Sequence, residues 1–519
     1  MSCPIRQSCR LIPLLAALIA LAAPQRAAAA IEYRVSLAEP DQHRFHVTMT
    51  IPVEGSEVVT ALPAWNALYR VRDFSQRVSA IRALCPAAIA VPLNKRQLDK
   101  QTWRFSLDGP CQPGEHNSFE IQYAVEWNAL GPFNSQLDAH HAFVNLAEIL
   151  MYVPDRRRES VSVRFVDVPA GWRTAAELTA VHVDNMYAAA SYDQLVDAPV
   201  ELGDFEEFGF TEEGGRFRVI VDSHSWNRTL LETALHRITH YELQLMGGPP
   251  FDPPSKEYTF FFHIGPDGDV EGGGMEHRNC TAISSTSTEG AVAVAAHEFF
   301  HVWNVKRIRP QTLEPVDYTK EQYTRALWFA EGVTSAYAAF ALERTGLWSK
   351  QQFYADLGEQ IGELQSRPAR AWQSVEESSL DAWFEKYDAY NLPAHSVNYY
   401  NKGQILGVLL DLSIRDATDN HKSLDDVLRR MNEEYALQGK FYDDSTGIRA
   451  VVEEVAGKSF AEFFGRYVSG TDEIPYDDFL SAAGLELSTD GGRTTVGEVA
   501  HPTARQRRIL EGVLRGTTD

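Results

Sequence analysis

The residues best equipped for chemistry in this 519-residue chain stand in one pentapeptide, His297-Glu298-Phe299-Phe300-His301. It follows the helix-favouring run Ala291-Val292-Ala293-Val294-Ala295-Ala296, so the two histidines are expected one turn apart on one helical face, their imidazoles converging on one cation. Two neutral imidazoles suit zinc, and Glu298 beside them can take a proton from a water that zinc acidifies. The bland alternative is a buried helix whose histidines are hydrogen-bonded to their neighbours.

A third ligand decides the type of centre. The metzincin pattern needs Gly three and His six residues beyond His301, where this chain has Asn304 and Arg307. The gluzincin solution draws a Glu from a following helix, and Leu327-Trp328-Phe329-Ala330-Glu331-Gly332-Val333-Thr334 supplies one in a strongly apolar segment. A bare carboxylate is costly to bury there unless an ion or a donor compensates it. Glu331 is therefore either a metal ligand or the partner of a cation such as Arg325.

These side chains need elements to hold them. From residue 31 to 205, alternating runs such as 45–51 and 119–125 are separated by Gly, Pro, Asp and Asn clusters, which predicts an N-terminal β-sandwich. After a border near 202–208, strand-like 217–221 and 258–264 alternate with a helical stretch at 227–245, opening a mixed domain over 206–345. From 289 onward helices are expected at 291–304, 320–346, 350–365, 402–416 and 423–435, giving an α-helical C-terminal region over 346–487. Residues 488–519, polar and Arg-rich at their end, read as a tail. The fold class is multidomain α+β.

Composition narrows the partners. With 44% apolar, 11% aromatic and 23% charged residues the chain is ordinary globular protein, neither disordered nor multi-span. A net charge of −23 repels phosphate backbones and anionic lipid, which argues against nucleic acid and against stable membrane association. Arg6 and Arg10 precede an apolar run over 11–23 and the small residues Ala27 to Ala30, so residues 1–30 read as a cleavable signal peptide and the location as periplasmic or secreted. Cys85 and Cys111 can pair in an oxidising compartment, leaving Cys280 free; three buried thiols fit the sequence equally well.

HEFFHVWNVKRIRP at 297–310, GGGMEHRN at 272–279 and LWFAEG at 327–332 together resemble the glycyl aminopeptidase family of gluzincin zinc metallopeptidases. The likeness extends to LPAW at 62–65 with YRVRDF at 69–74, to LVDAP at 195–199 and to GTDEIPY at 470–476, so it covers nearly all of 31–487. That family is similar in turn to the aminopeptidase N superfamily. The resemblance therefore implies a β domain, a thermolysin-like zinc catalytic domain over 206–345 and a helical C-terminal part.

It also implies roles. His297, His301 and Glu331 would ligate Zn2+, and Glu298 would be the general base. Gly273-Gly274-Met275-Glu276-His277 falls where the superfamily carries its GAMEN segment, so Glu276 inherits binding of the substrate's free α-amine. Gly273 and Gly274 would let the backbone approach the substrate closely. Tyr399-Tyr400-Asn401-Lys402-Gly403 matches a Tyr-x-Lys-Gly segment whose tyrosine, here Tyr400, donates to the oxyanion. Lys306, Arg307 and Arg309 are expected in ion pairs, and Trp303 and Phe299 in the core.

The chain departs from the family in having Asn66-Ala67 where Pro-Gly is common, and too few residues after 485 for the PDZ domain that many relatives carry. The implied activity is hydrolysis of the first peptide bond of short peptides with a free N-terminus, with Gly or another small residue preferred in first place. An endopeptidase with an open cleft and a non-catalytic secreted peptide-binding protein are the competing readings.

Overall fold

A computed structural model describes residues 31–516 apart from 54, 87–90, 108–117, 224, 252–255 and 266–271. The expected signal peptide and Cys111 lie outside the described residues. Alternation in Ile31–Glu39 and Arg44–Pro52 buries Tyr33, Val35, Leu37, Phe45, Val47, Met49 and Ile51 on one face. Both strands lie within an eight-stranded sheet, whose inner face shares a core with a three-stranded sheet built around Thr102–Ser106. A further four-stranded sheet carries Arg173–Ala176, Val200–Gly203, His141–Val144 and Gln136–Leu137.

The chain then crosses into a five-stranded sheet. Its order is Glu206–Glu212, Gly215–Asp222, Glu257–Ile264, Cys280–Ser285 and Gly273–Glu276, with the three middle strands parallel and both edges antiparallel. Near-continuous apolar runs such as Tyr258 to Phe262 follow from burial on both faces. One face packs on helices Arg228–Met246 and Thr288–Phe300. The other meets the four-stranded sheet through Phe143, Ala175, Phe205, Ile220, Phe261 and Ala282.

Helices complete the molecule: Thr334–Arg344, Lys350–Ser366, Leu424–Glu434 and Asp444–Ala456 surround Tyr399–Ala417, which is buried along most of its length. Two expectations are corrected. The helix expected over 320–346 is irregular to residue 326, passes through a π-helical turn at Trp328–Val333 and becomes α-helical only at Thr334. Nor do the last residues trail as a tail. Leu485–Asp490 and Arg493–Glu498 form a hairpin, and Ala504–Arg515 is a helix started by a Thr503–Gln506 capping box.

That helix buries Ile509, Leu510 and Val513. The arginines that suggested a tail belong to its outer side, where Arg505 pairs with Asp416 and Arg508 with Asp419. Cys85 is disulfide-bonded and Cys280 is a buried free thiol, which removes the three-thiol alternative.

Candidate active site

The helix Thr288–Phe300 starts on Ser287, whose side chain accepts from the Gly290 N–H at 3.1 Å. His301 lies four positions after His297, and one turn of helix brings their Nε2 atoms to 2.9 Å. The Asn304 backbone carbonyl accepts from His301 Nδ1 at 2.7 Å, which fixes the ring and turns Nε2 toward the Glu331 carboxylate. His297 Nδ1 lies 3.3 Å from Ser335 Oγ. Asn304, which stands where a metzincin needs glycine, instead ties the two helical segments together by donating to the Phe329 carbonyl and to Thr334 Oγ1.

Glu331 comes from the π-helical turn and points at both imidazoles: its Oε2 is 3.2 Å from His301 Nε2 and 3.6 Å from His297 Nε2. Arg325, the alternative partner, donates its backbone N–H to Asp444. Burial alone would raise the Glu331 carboxyl; the charge on His301 and hydrogen bonds from both imidazoles outweigh it and hold the group well below the usual carboxylate range. Three ligand atoms 2.9–3.6 Å apart, two nitrogens and one oxygen, are spaced as on a tetrahedral ion with bonds of about 2.0–2.1 Å. The donor set therefore fits zinc, which His297, His301 and Glu331 would hold.

A close crossing positions the next group. The turn carrying Glu331 meets the helix Tyr399–Ala417 at Gly332 and Gly403, where a Cβ on either residue would overlap the other segment's backbone. Lacking both side chains, the two segments touch, and Tyr400 at the helix start comes to 6.1 Å from His297 between ring centroids. Burial, then the nearby Glu331 carboxylate, raise the Tyr400 hydroxyl well above its ordinary value, so it is a neutral donor.

Glu298 is buried, and its Oε2 has no hydrogen-bond partner among the described residues. Burial pushes its carboxyl up to about 8; the charge on His301 opposes this, while Glu276 and Glu331 add to the rise. Gly274 of the edge strand lies directly against it: a Cβ at 274 would overlap the Glu298 carboxyl group. A Gly274→Ala substitution should thus displace the carboxylate and lower kcat about 100-fold with the fold intact. Steady-state kinetics beside a circular dichroism spectrum check this.

The same edge strand ends at Glu276, which faces the cavity. Its position is fixed from the N-terminal domain. Asp197 accepts from Lys306 Nζ at 3.0 Å, from the Arg278 N–H at 2.9 Å and from His277 Nδ1 at 3.3 Å. Burial would raise Asp197, but Lys306 and these donors hold it below the carboxylate range. Lys306 also donates to the Glu276 carbonyl at 3.4 Å.

The cavity of about 140 Å³ around these groups is walled by Trp65, Tyr69, Met275 and Tyr318 as well as the residues above. Leu68 and Tyr69 adopt left-handed backbone conformations, φ 59° and 46°, and Trp383 braces the loop against Trp65 at 5.1 Å and Tyr69 at 5.9 Å. Beyond Gly273 and Gly274 a wider groove of about 430 Å³ opens, lined by Ala293, Val294, Ala338, Leu342 and Trp348.

All eight residues singled out in the sequence thus line one cleft or hold its walls. Reasoning from sequence missed Asp197, Lys306 and Tyr69 as site residues, although each lies in a quoted motif; their grouping depends on contacts between domains. Arg309 pairs with Glu314, and Trp303 and Phe299 are buried.

Two family models match. The M61 glycyl aminopeptidase model covers residues 291–406 and the peptidase M61 N-terminal domain model covers 32–204, together more than half of the 519 residues. Among solved structures, an aminopeptidase N family protein from Idiomarina loihiensis superposes with a TM-score of 0.81 at 24% identity, over 89% of this chain and 79% of that one. An M1 zinc metallopeptidase from Deinococcus radiodurans gives 0.50 at 17% identity, over 86% and 94%. At such identities the likeness is one of fold. No curated protein matches the chain.

Proposed function

The chain belongs to the M61 glycyl aminopeptidase family of peptidases, and from that premise we propose a zinc-dependent aminopeptidase acting on short peptides with a free N-terminus. One observation carries the reading: His297, His301 and Glu331 converge at one point, with Glu298 buried beside it and Glu276 in the same cavity. Zinc, when bound, would acidify a water and polarise the scissile carbonyl.

The protein's own groups do the rest. Glu298 accepts the proton of the attacking water and returns it to the leaving nitrogen. Tyr400 donates its hydroxyl to the carbonyl oxygen as negative charge builds there. Glu276 holds the protonated α-amine, and this anchor sets the cut one residue from the end. The small cavity supports a small first residue, and the wider apolar groove supports a longer remainder on the leaving side.

Acetylating the substrate's amino terminus is expected to abolish turnover of an aminoacyl-anilide. Glu276→Gln should lower kcat/KM for the free-amine substrate about 10- to 100-fold, the worth of one hydrogen bond to a charged group. Unchanged cleavage of the acetylated substrate would instead identify an endopeptidase.

Export to the periplasm or beyond belongs to the same proposal, supported by the apolar run and alanines before Ile31. Sequencing the N-terminus of the protein recovered from the exporting host should find it starting near Ile31; recovery with Met1 in place would remove that part.

A further inference from the structure

A second group of ligand-type side chains lies apart from the peptide cleft, on the seam between the two sheets that join the N-terminal and catalytic domains. His141 and Glu201 stand on neighbouring strands of the four-stranded sheet, where His141 pairs with Gly203 and Phe143 with Glu201, so the two side chains share a face. Asp222 and His263 are register partners on adjacent parallel strands of the catalytic sheet. Packing the two sheets face to face brings the four together at one end of the apolar contact made by Phe143, Ile220, Phe261 and Ala282.

The distances are short in every direction. His141 Nδ1 is 3.0 Å from Glu201 Oε1 and 3.1 Å from Asp222 Oδ2, and His263 Nε2 is 2.9 Å from Glu201 Oε2. One ligand atom from each of the four falls within 4.8 Å of all the others. Four ligands on one tetrahedral ion with bonds near 2.0–2.2 Å stand roughly 3.3–3.6 Å apart, so small rotations of the side chains suffice. The Glu201 side chain is 1% exposed and Asp222 30%, which leaves an approach from solvent along Asp222. The Phe143 ring packs on His263 at 4.8 Å and limits its rotation.

We propose that His141, Glu201, Asp222 and His263 form a second divalent-metal site, of zinc type, that clamps the N-terminal domain to the catalytic domain. Two imidazoles and two carboxylates are a donor set that zinc favours and that magnesium or calcium, which take oxygen ligands, does not. Two carboxylates also cancel the charge of the ion, so holding it in a partly dry seam leaves no net charge behind.

The competing arrangement is a proton in place of the ion. Burial pulls His141 down, but Glu201 and Asp222 outweigh it and push the imidazole up to about 9. In that arrangement His141 Nδ1 serves both carboxylates, Glu201 at 3.0 Å and Asp222 at 3.1 Å, with the same atom that would ligate the ion.

Zinc titration of the full-length, chelator-stripped protein tests the site, read by calorimetry and by metal content after desalting. The wild type is expected to take up about two equivalents. Asp222→Asn and His263→Gln should each take up about one, with peptidase activity kept and with the second zinc-dependent rise in unfolding midpoint lost. Glu331→Gln should also take up about one, by losing the other site, so failure of the catalytic reading and failure of this one give different patterns. Asp222→Asn preserves shape at a partly exposed position, which keeps the test interpretable if His263→Gln folds poorly. A wild type that binds only one equivalent, or two equivalents retained in both seam variants, would overturn the proposal.

Discussion

Replacing Glu298 by glutamine is expected to lower kcat about 10²- to 10⁴-fold while metal content and KM stay near the wild-type values. Gln has the same shape, so it can stand against Gly274 without strain. What it cannot do is take a proton from water or hand one to the departing amine, and general acid–base catalysis by one positioned group is worth about that factor. Neither atom that Glu298 contributes is needed to hold His297, His301 or Glu331 together. Steady-state kinetics on an aminoacyl-anilide, paired with metal analysis, separate the two effects. Equal rates for the two proteins would reject the role.

Glu331→Gln has an effect of similar size by a different route. The substitution replaces an anion held between two imidazoles with a neutral amide, so zinc affinity should fall by more than about 100-fold, beyond the loss seen for outer-shell partners. Activity toward every substrate should fall with it, and added zinc should restore a part. Metal content of the purified variant, followed by a zinc titration of activity, checks the prediction. Retained metal with lost activity would place Glu331 outside the ligand set. The two variants thus divide the site into what binds the ion and what moves the proton.

The parts legible from sequence share one property: their signal is local. HEFFH declares its geometry because one helical turn fixes the relation of its residues, and the alternation in Arg44–Pro52 declares a half-buried strand for the same reason. Glu331 stood out because a carboxylate in an apolar run needs an explanation. Other parts were hidden by averaging. The terminal helix presents its arginines to water and buries only Ile509, Leu510, Gly512 and Val513, so its composition reads as solvated chain.

A third kind could not be read at all. Asp197 reaches Lys306 from 109 residues away, and the His141–Glu201–Asp222–His263 group needs two sheets to be stacked before any of its members are neighbours. Short-range periodicity says which face of a strand is apolar. It does not say which sheet that face will meet.

The widened turn at Trp328–Val333 also limits how the chain can change length. Trp328 is fixed on one side, with its indole donating to Ser445 and its backbone N–H to Ser379, while Glu331 is fixed on the other by two histidines. An ordinary α-helix advances about 100° per residue, so shortening this stretch by one residue would regularise the spiral and swing one of those two anchors by that angle. The extra residue therefore acts as a phase adjuster between scaffold and chemistry, and single-residue deletions here should be tolerated far less than in the neighbouring loops.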